Sequence, residues 1–131
     1  MATTLTAKWL KAAQNSVNGD TAFKKLGYVD TKPALKVGKA AFLINFEGFS
    51  CHGVQKIAVR DLRDADYLIE MSQEAWDAFL AGRRRGNGPT LAELDATDGV
   101  VKADDPRKKL DFYRYHISLQ AFLDAGATAA A

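Results

Sequence analysis

The stretch from residue 106 to residue 124 carries more apolar surface than a single packing face absorbs, and this constrains the fold more than any other part of the chain. Asp104 or Asp105 supplies a helix cap, Pro106 suits the first turn, and Gly126 marks a stop, which leaves residues 125–131 as a frayed tail. Wound at about 100° per residue, Leu110, Ile117 and Ala121 gather on one side. Phe112, Tyr115, Leu119, Phe122 and Leu123 spread over the opposite side, and only a strip through Asp111, Arg114 and Ser118 reads as solvent-facing. A fully buried large side chain is worth about 1.5–3 kcal/mol, so exposing the whole second group forgoes on the order of 10 kcal/mol. Something must cover it: more core, a ligand, or another molecule.

Upstream, Leu5, Trp9, Ala13 and Val17 recur every fourth residue. That spacing predicts a helix within residues 1–18, capped by Thr4 or Thr6 and stopped at Asn18-Gly19. Residues 21–26 read as one helical turn ended by Gly27, and residues 33–37 as an extended piece. In residues 41–46 a period of two sets Phe42, Ile44 and Phe46 on one face of a strand. Residues 48–53 read as a turn and residues 54–61 as a second strand, alternating through Ile57 and Val59. Residues 65–71 read as a third, with Tyr67, Ile69 and Met71 on one side; short links between the three predict an antiparallel meander.

Ser72 caps a helix whose stripe is Trp76, Phe79 and Leu80 and whose stop is Gly82, so residues 83–89 form a loop. Thr90 opens a short helix through Leu91 and Leu94, and Asp98-Gly99 turns into a brief strand over residues 100–103.

A chain of 131 residues buries roughly two-thirds of its extended surface on folding, enough for one domain with its own core. An apolar content of 47% excludes wholesale disorder, and a net charge of +2 is too slight for the broad basic footprint of a nucleic-acid binder. Cys51 is the only cysteine, which excludes an internal disulfide and suits a reducing, cytoplasmic compartment. No apolar run reaches the ~18 residues of a membrane span, and the first residues lack a signal-peptide pattern.

Three joined segments carry a likeness to a known family. Ala65-Asp66 leads into the strand Tyr67-Leu68-Ile69-Glu70-Met71, and residues 74–82 form the following helix that ends in glycine. Leu91-Ala92-Glu93-Leu94, the strand around Val100-Val101-Lys102, and a closing helix complete the order. In these features the last two-thirds of the chain resembles the sterol carrier protein 2 family of lipid-binding domains. The resemblance implies an α+β fold, a mostly antiparallel five-stranded sheet covered by helices. It also implies a hydrophobic tunnel between sheet and helices that takes fatty acyl chains, sterols or similar molecules. The chain departs from the family in its basic residues 83–89 and in an aromatic closing helix bearing Phe112, Tyr113, Tyr115 and Phe122.

The ligand reading assigns lining roles to Trp76, Phe79 and Leu80, to Phe112, Tyr115, His116 and Leu119, and to Phe42, Ile44 and Phe46 on the sheet. Each has a plain core role as its alternative, because aromatic stripes at helical spacing usually build core. No cofactor or metal is implied, and no phosphate loop, dinucleotide fingerprint or nucleophile elbow occurs. His116 is either a hydrogen-bonded histidine at the core's edge or a base, and His52 beside Cys51 is incidental. Arg83-Arg84-Arg85 is either a solvated loop or a grip for an anionic head group in transient contact with a membrane surface. Two rivals stand beside a non-catalytic carrier of an apolar small molecule. One is a small isomerase- or hydratase-type enzyme with His116 or Asp66 as base. The other is an interaction subunit that docks by the apolar face of its C-terminal helix on an enzyme or on a copy of itself.

Overall fold

The computed structural model describes residues 4–129. Helix α1 (Ala7–Asn18) starts where the Thr6 hydroxyl accepts a hydrogen bond from the Trp9 N–H at 3.1 Å, and it buries Trp9, Leu10, Ala13 and Val17. The one-turn helix α2 (Thr21–Lys25) follows, with Asp20 accepting from the Ala22 N–H. The first matches its four-residue spacing and the Thr6 cap, and the second is the single turn expected before Gly27.

Among the described residues six strands make one sheet: β1 (Val29–Thr31), β2 (Ala34–Val37), β3 (Ala40–Gly48), β4 (Ser50–Lys56), β5 (Leu68–Met71) and β6 (Val101–Lys102). Strands β1 and β2 lie against β3 in one unbroken register, from Val29 opposite Gly48 to Val37 opposite Ala40. Pro33 interrupts them. Its carbonyl accepts from the Ile44 N–H at 2.9 Å, but proline has no N–H to return to Ile44. The six strands therefore occupy five positions, β4, β3, the broken pair β1/β2, β5 and β6, in agreement with an α+β fold built on a mostly antiparallel sheet.

The meander is a correction. Strand β4 begins at Ser50 because Gly48, at φ +67°, turns the chain within two residues instead of six. A bulge after Asn45 leaves His52 as the extra residue of β4. Residues 57–61 are not strand; Val59–Asp64 is a 3-10 helix, and Val59 is exposed. This helix carries the chain across the sheet, so β5 pairs parallel with β2 and antiparallel with β6. Crossing buries Ile69 and Met71 beside Leu35 and Val37, which a neighbouring place beside β4 at the sheet's edge does not offer.

Helix α3 (Gln73–Arg85) is capped by Ser72, whose hydroxyl accepts from the Ala75 N–H, and ends on the left-handed Gly86. It runs through Gly82, so Arg83, Arg84 and Arg85 form its last turn and not a loop. Gly82 is there for contact: a Cβ on it would stand 2.8 Å from the Gly88 Cα. Helix α4 (Leu91–Asp98) opens on a Thr90/Glu93 capping box. Helix α5 (Pro106–Ala129) also outruns its expected stop, since Gly126 lets the Trp9 ring approach where a Cβ would meet Trp9 Cη2 at 2.5 Å. Residues 125–129 are thus helix and not a frayed tail, and residues 130–131 lie outside the described residues.

The faces of α5 are the second correction. Phe112, Leu119, Phe122 and Leu123 enter the core, whereas Leu110 and Ile117 point outward. Ser118, read as solvent-facing, is buried. The bulkier aromatic face removes more apolar area from water, and the sheet offers room for one face only.

Asp95 ties α4 to the start of α5. Its side chain, 2% exposed, accepts from the Val101 N–H at 3.0 Å, from the Tyr113 hydroxyl and from Lys109 Nζ. Burial pushes this carboxyl up, but the three hydrogen bonds and the Lys109 charge together outweigh it and hold the acid below the usual carboxylate range. A depressed folded value contributes stability that is present above the unfolded pKa of about 3.9 and disappears as pH falls through the folded value. Asp95→Asn is expected to cost about 1–3 kcal/mol at neutral pH. Its deficit against the parent chain in urea denaturation should shrink below about pH 4.

Candidate functional site

The helix-covered face of the sheet and the two helices α3 and α5 bring nearly all the expected lining residues into one layer. Phe42, Ile44 and Phe46 stand on β3, Trp76, Phe79 and Leu80 on α3, and Phe112 and Leu119 on α5; all eight are buried. Ring contacts knit them: Phe46 meets Phe122 edge-on at 5.2 Å, Tyr67 meets Phe112 at 5.8 Å, and Trp76 stacks on Phe79 at 5.9 Å. Tyr115 and His116 are only half-buried. The His116 ring lies against Phe112 and Tyr113, at 6.2 and 6.4 Å between centroids.

Two hollows interrupt this layer. The first holds about 10 Å³ between β2, β3, β5 and α5, among the buried side chains Leu35, Ile44, Ile69, Leu119, Phe122 and Leu123. That is room for one water at most, and its walls offer no polar partner for one. The second opens to solvent and holds about 210 Å³ between the end of β5, α3 and α4. Met71, Phe79, Leu94 and Val100 form its floor and sides, Ala75 and Ala78 leave the space, and Asp98 stands at the rim. Ile69 and Met71 are neighbours on one face of β5, so the open groove and the small hollow lie side by side along that strand.

Of the ten expected lining residues, Ile44 and Leu119 reach the small hollow and Phe79 the open groove; the other seven line neither. The sequence reading missed Met71, Leu94 and Val100 as groove residues, although the period-two pattern had placed Met71 beside Ile69. A further cleft of about 300 Å³ holds Arg63, Asp66, Lys102, Asp104 and Lys108, a mixed-charge lining that suits water.

The basic residues have structural partners. Arg83 makes a forked pair with Asp124 of α5, both contacts at 2.9 Å, and Arg84 Nε donates to the Ala127 carbonyl at 3.0 Å. They strap α3 to α5. Cys51 and His52 face opposite ways, one buried and one exposed, and burial pushes the Cys51 thiol up to about 11. The Asp66 carboxylate accepts from the Lys32 N–H at 2.9 Å. Among the described residues no cluster of His, Cys, Asp or Glu is placed to hold a metal ion, and no helix is long and apolar enough to cross a membrane.

No family model and no curated protein matches the sequence. The fold does match. The crystal structure of sterol carrier protein 2 superposes with a TM-score of 0.69, covering 93% of this chain and 95% of that one at 17% identity. The solution structure of a conserved hypothetical protein from Thermus thermophilus, described as a possible sterol carrier protein, gives 0.70 over 98% and 91% at 18% identity. The chain has the sterol carrier protein 2 fold, and the likeness extends from the last two-thirds to nearly its whole length.

Proposed function

We propose that this chain is a non-catalytic carrier of an apolar small molecule of the fatty acyl or sterol class, entered through the groove between α3 and α4. The open groove supports the reading most: about 210 Å³ lined by apolar side chains with one carboxylate, Asp98, at its rim. Pockets for drug-sized ligands run to about 300–1,000 Å³, so the open volume takes a short acyl segment. A longer chain or a sterol needs the neighbouring hollow to widen. Met71 stands where that happens, and the flexible thioether side chain moves aside more easily than a branched one. The shared fold with sterol carrier protein 2 favours the same ligand class, and a reducing cytoplasmic setting accords with the single buried thiol.

Fatty acids of increasing length, titrated against tryptophan fluorescence, test this, because Trp76 stacks on the groove residue Phe79. Saturable quenching that strengthens with chain length is expected. Ala78 is exposed at the groove, so Ala78→Phe should fill it and weaken uptake roughly tenfold or more with little change in melting temperature. The absence of both saturable quenching and lipid in a solvent extract of the purified chain would refute the carrier. Uptake by the Phe variant equal to the parent's would refute the groove.

A further inference from the structure

The rim of the open groove carries charge of one sign. Among the described residues that line it only Asp98 is ionisable, and no lysine or arginine takes part. The basic side chains of the surrounding elements are engaged elsewhere. Arg83 and Arg84 are turned to α5, and Arg85 Nε donates to the Asn87 side-chain oxygen. Lys102 pairs with Glu70, and Lys109 Nζ donates to Asp95. The positive end of α3 is also answered within the protein, where the Ser72 hydroxyl accepts from the Ala75 N–H and Glu74 stands in the first turn.

Asp98 is misplaced for its own helix. It is the last residue of α4, at the negative end of the helix dipole, and the last turn holds no basic residue to offset it. It is exposed and, among the described residues, makes neither a side-chain hydrogen bond nor a salt bridge. Local rules of this kind are broken chiefly at functional positions. Asp98 stands one turn beyond Leu94 and about 40° around from it, so an alkyl chain laid on Leu94 and Phe79 brings its head to this carboxylate.

We propose that the groove selects its ligand by head-group charge, and that Asp98 makes it take a single-chain lipid with a cationic amine head in preference to the free fatty acid of the same length. The inference rests on the carrier reading and narrows it. An ammonium head donates to the Asp98 carboxylate and offsets the negative end of α4. A fatty acid's carboxylate meets like charge from both. Because the rim is solvated, each charge contact is weak, and the preference is about fivefold and not an exclusion. Fatty acids still bind through their chains.

Dodecylamine and dodecanoate, both charged at neutral pH, test this when titrated below their micellar range against the full chain. Tryptophan fluorescence reads the binding, since Trp76 stacks on the groove residue Phe79. The amine should bind about fivefold more tightly at low salt. The ratio should fall toward one in about 1 M NaCl, where the screening length is about 3 Å. Asp98→Asn should erase the preference and Asp98→Lys should reverse it. Either change removes a charge from the wrong end of α4, so the melting temperature of the unliganded chain should rise by about 1–4 °C. A lost preference is then not a lost fold. Equal affinity for the two probes, tighter binding of dodecanoate, or an order unchanged by Asp98→Lys would each overturn the inference and leave the carrier standing. Binding of neither probe would overturn both.

Discussion

Gly88→Ala is expected to cost about 3 kcal/mol, at the upper end of what overpacking does, and to lower Tm by roughly 10 °C. The reason is local. A Cβ at residue 88 would stand 2.5 Å from the Gly82 Cα and 2.7 Å from its carbonyl carbon. Both are backbone atoms inside α3, and neither swings aside as a side chain does. The Gly88 N–H also donates to the Gly82 carbonyl at 3.0 Å, so relieving the clash breaks a hydrogen bond. Gly86→Ala is the contrast: its φ of +80° is costly for alanine, but its Cβ meets nothing within 4 Å. That change should cost about 1 kcal/mol. Thermal melts of the two variants separate the causes. Equal losses would mean that strain at the turn, and not the close approach of residues 82 and 88, governs this corner. The corner matters to function because it sets Pro89 into the groove wall.

Trp76→Ala should cost more, about 3–5 kcal/mol. Trp76 is fully buried, edge-on to Trp9 at 5.4 Å and stacked on Phe79, so truncation removes the partner of both rings at once. The same side chain carries a counterweight. Its indole N–H is buried without a hydrogen-bond acceptor, as is that of Trp9, and such a group costs about 1–3 kcal/mol. Trp76→Phe removes the orphaned donor along with part of the ring, so its net loss should be about 1–2 kcal/mol, below what the lost volume suggests. Urea denaturation of both variants checks the pair. A Phe variant as unstable as the Ala variant would show that the indole N–H is satisfied and that only volume counts.

Much of this architecture is legible in the chain. Thr6, Ser72 and Thr90 each announce a helix, and the side chain at each accepts the expected backbone hydrogen bond. The alternation through Phe42, Ile44 and Phe46, and through Tyr67, Ile69 and Met71, correctly names the buried faces of β3 and β5. Glycine is where the reading fails. Gly82 and Gly126 look like helix stops, yet both lie inside helices because another part of the chain presses against the missing Cβ. Gly48, by contrast, turns the chain faster than a six-residue stretch suggested. The open groove itself was not legible in the sequence. Of the expected aromatic positions on α3 and α5 only Phe79 borders the groove, which is made by Ala75 and Ala78, whose contribution is the absence of bulk, and no periodicity reports an empty space.

Short-range chemistry dictates most of the elements and which side of each strand is apolar, because caps, turn glycines and repeat spacing act between residues a few positions apart. Only the packed chain selects the crossing that lays β5 parallel with β2, and the turn of α5 that sends its aromatic face inward while Leu110 and Ile117 face out. Both choices compare contacts between segments far apart in the chain, where total buried area outweighs any local preference.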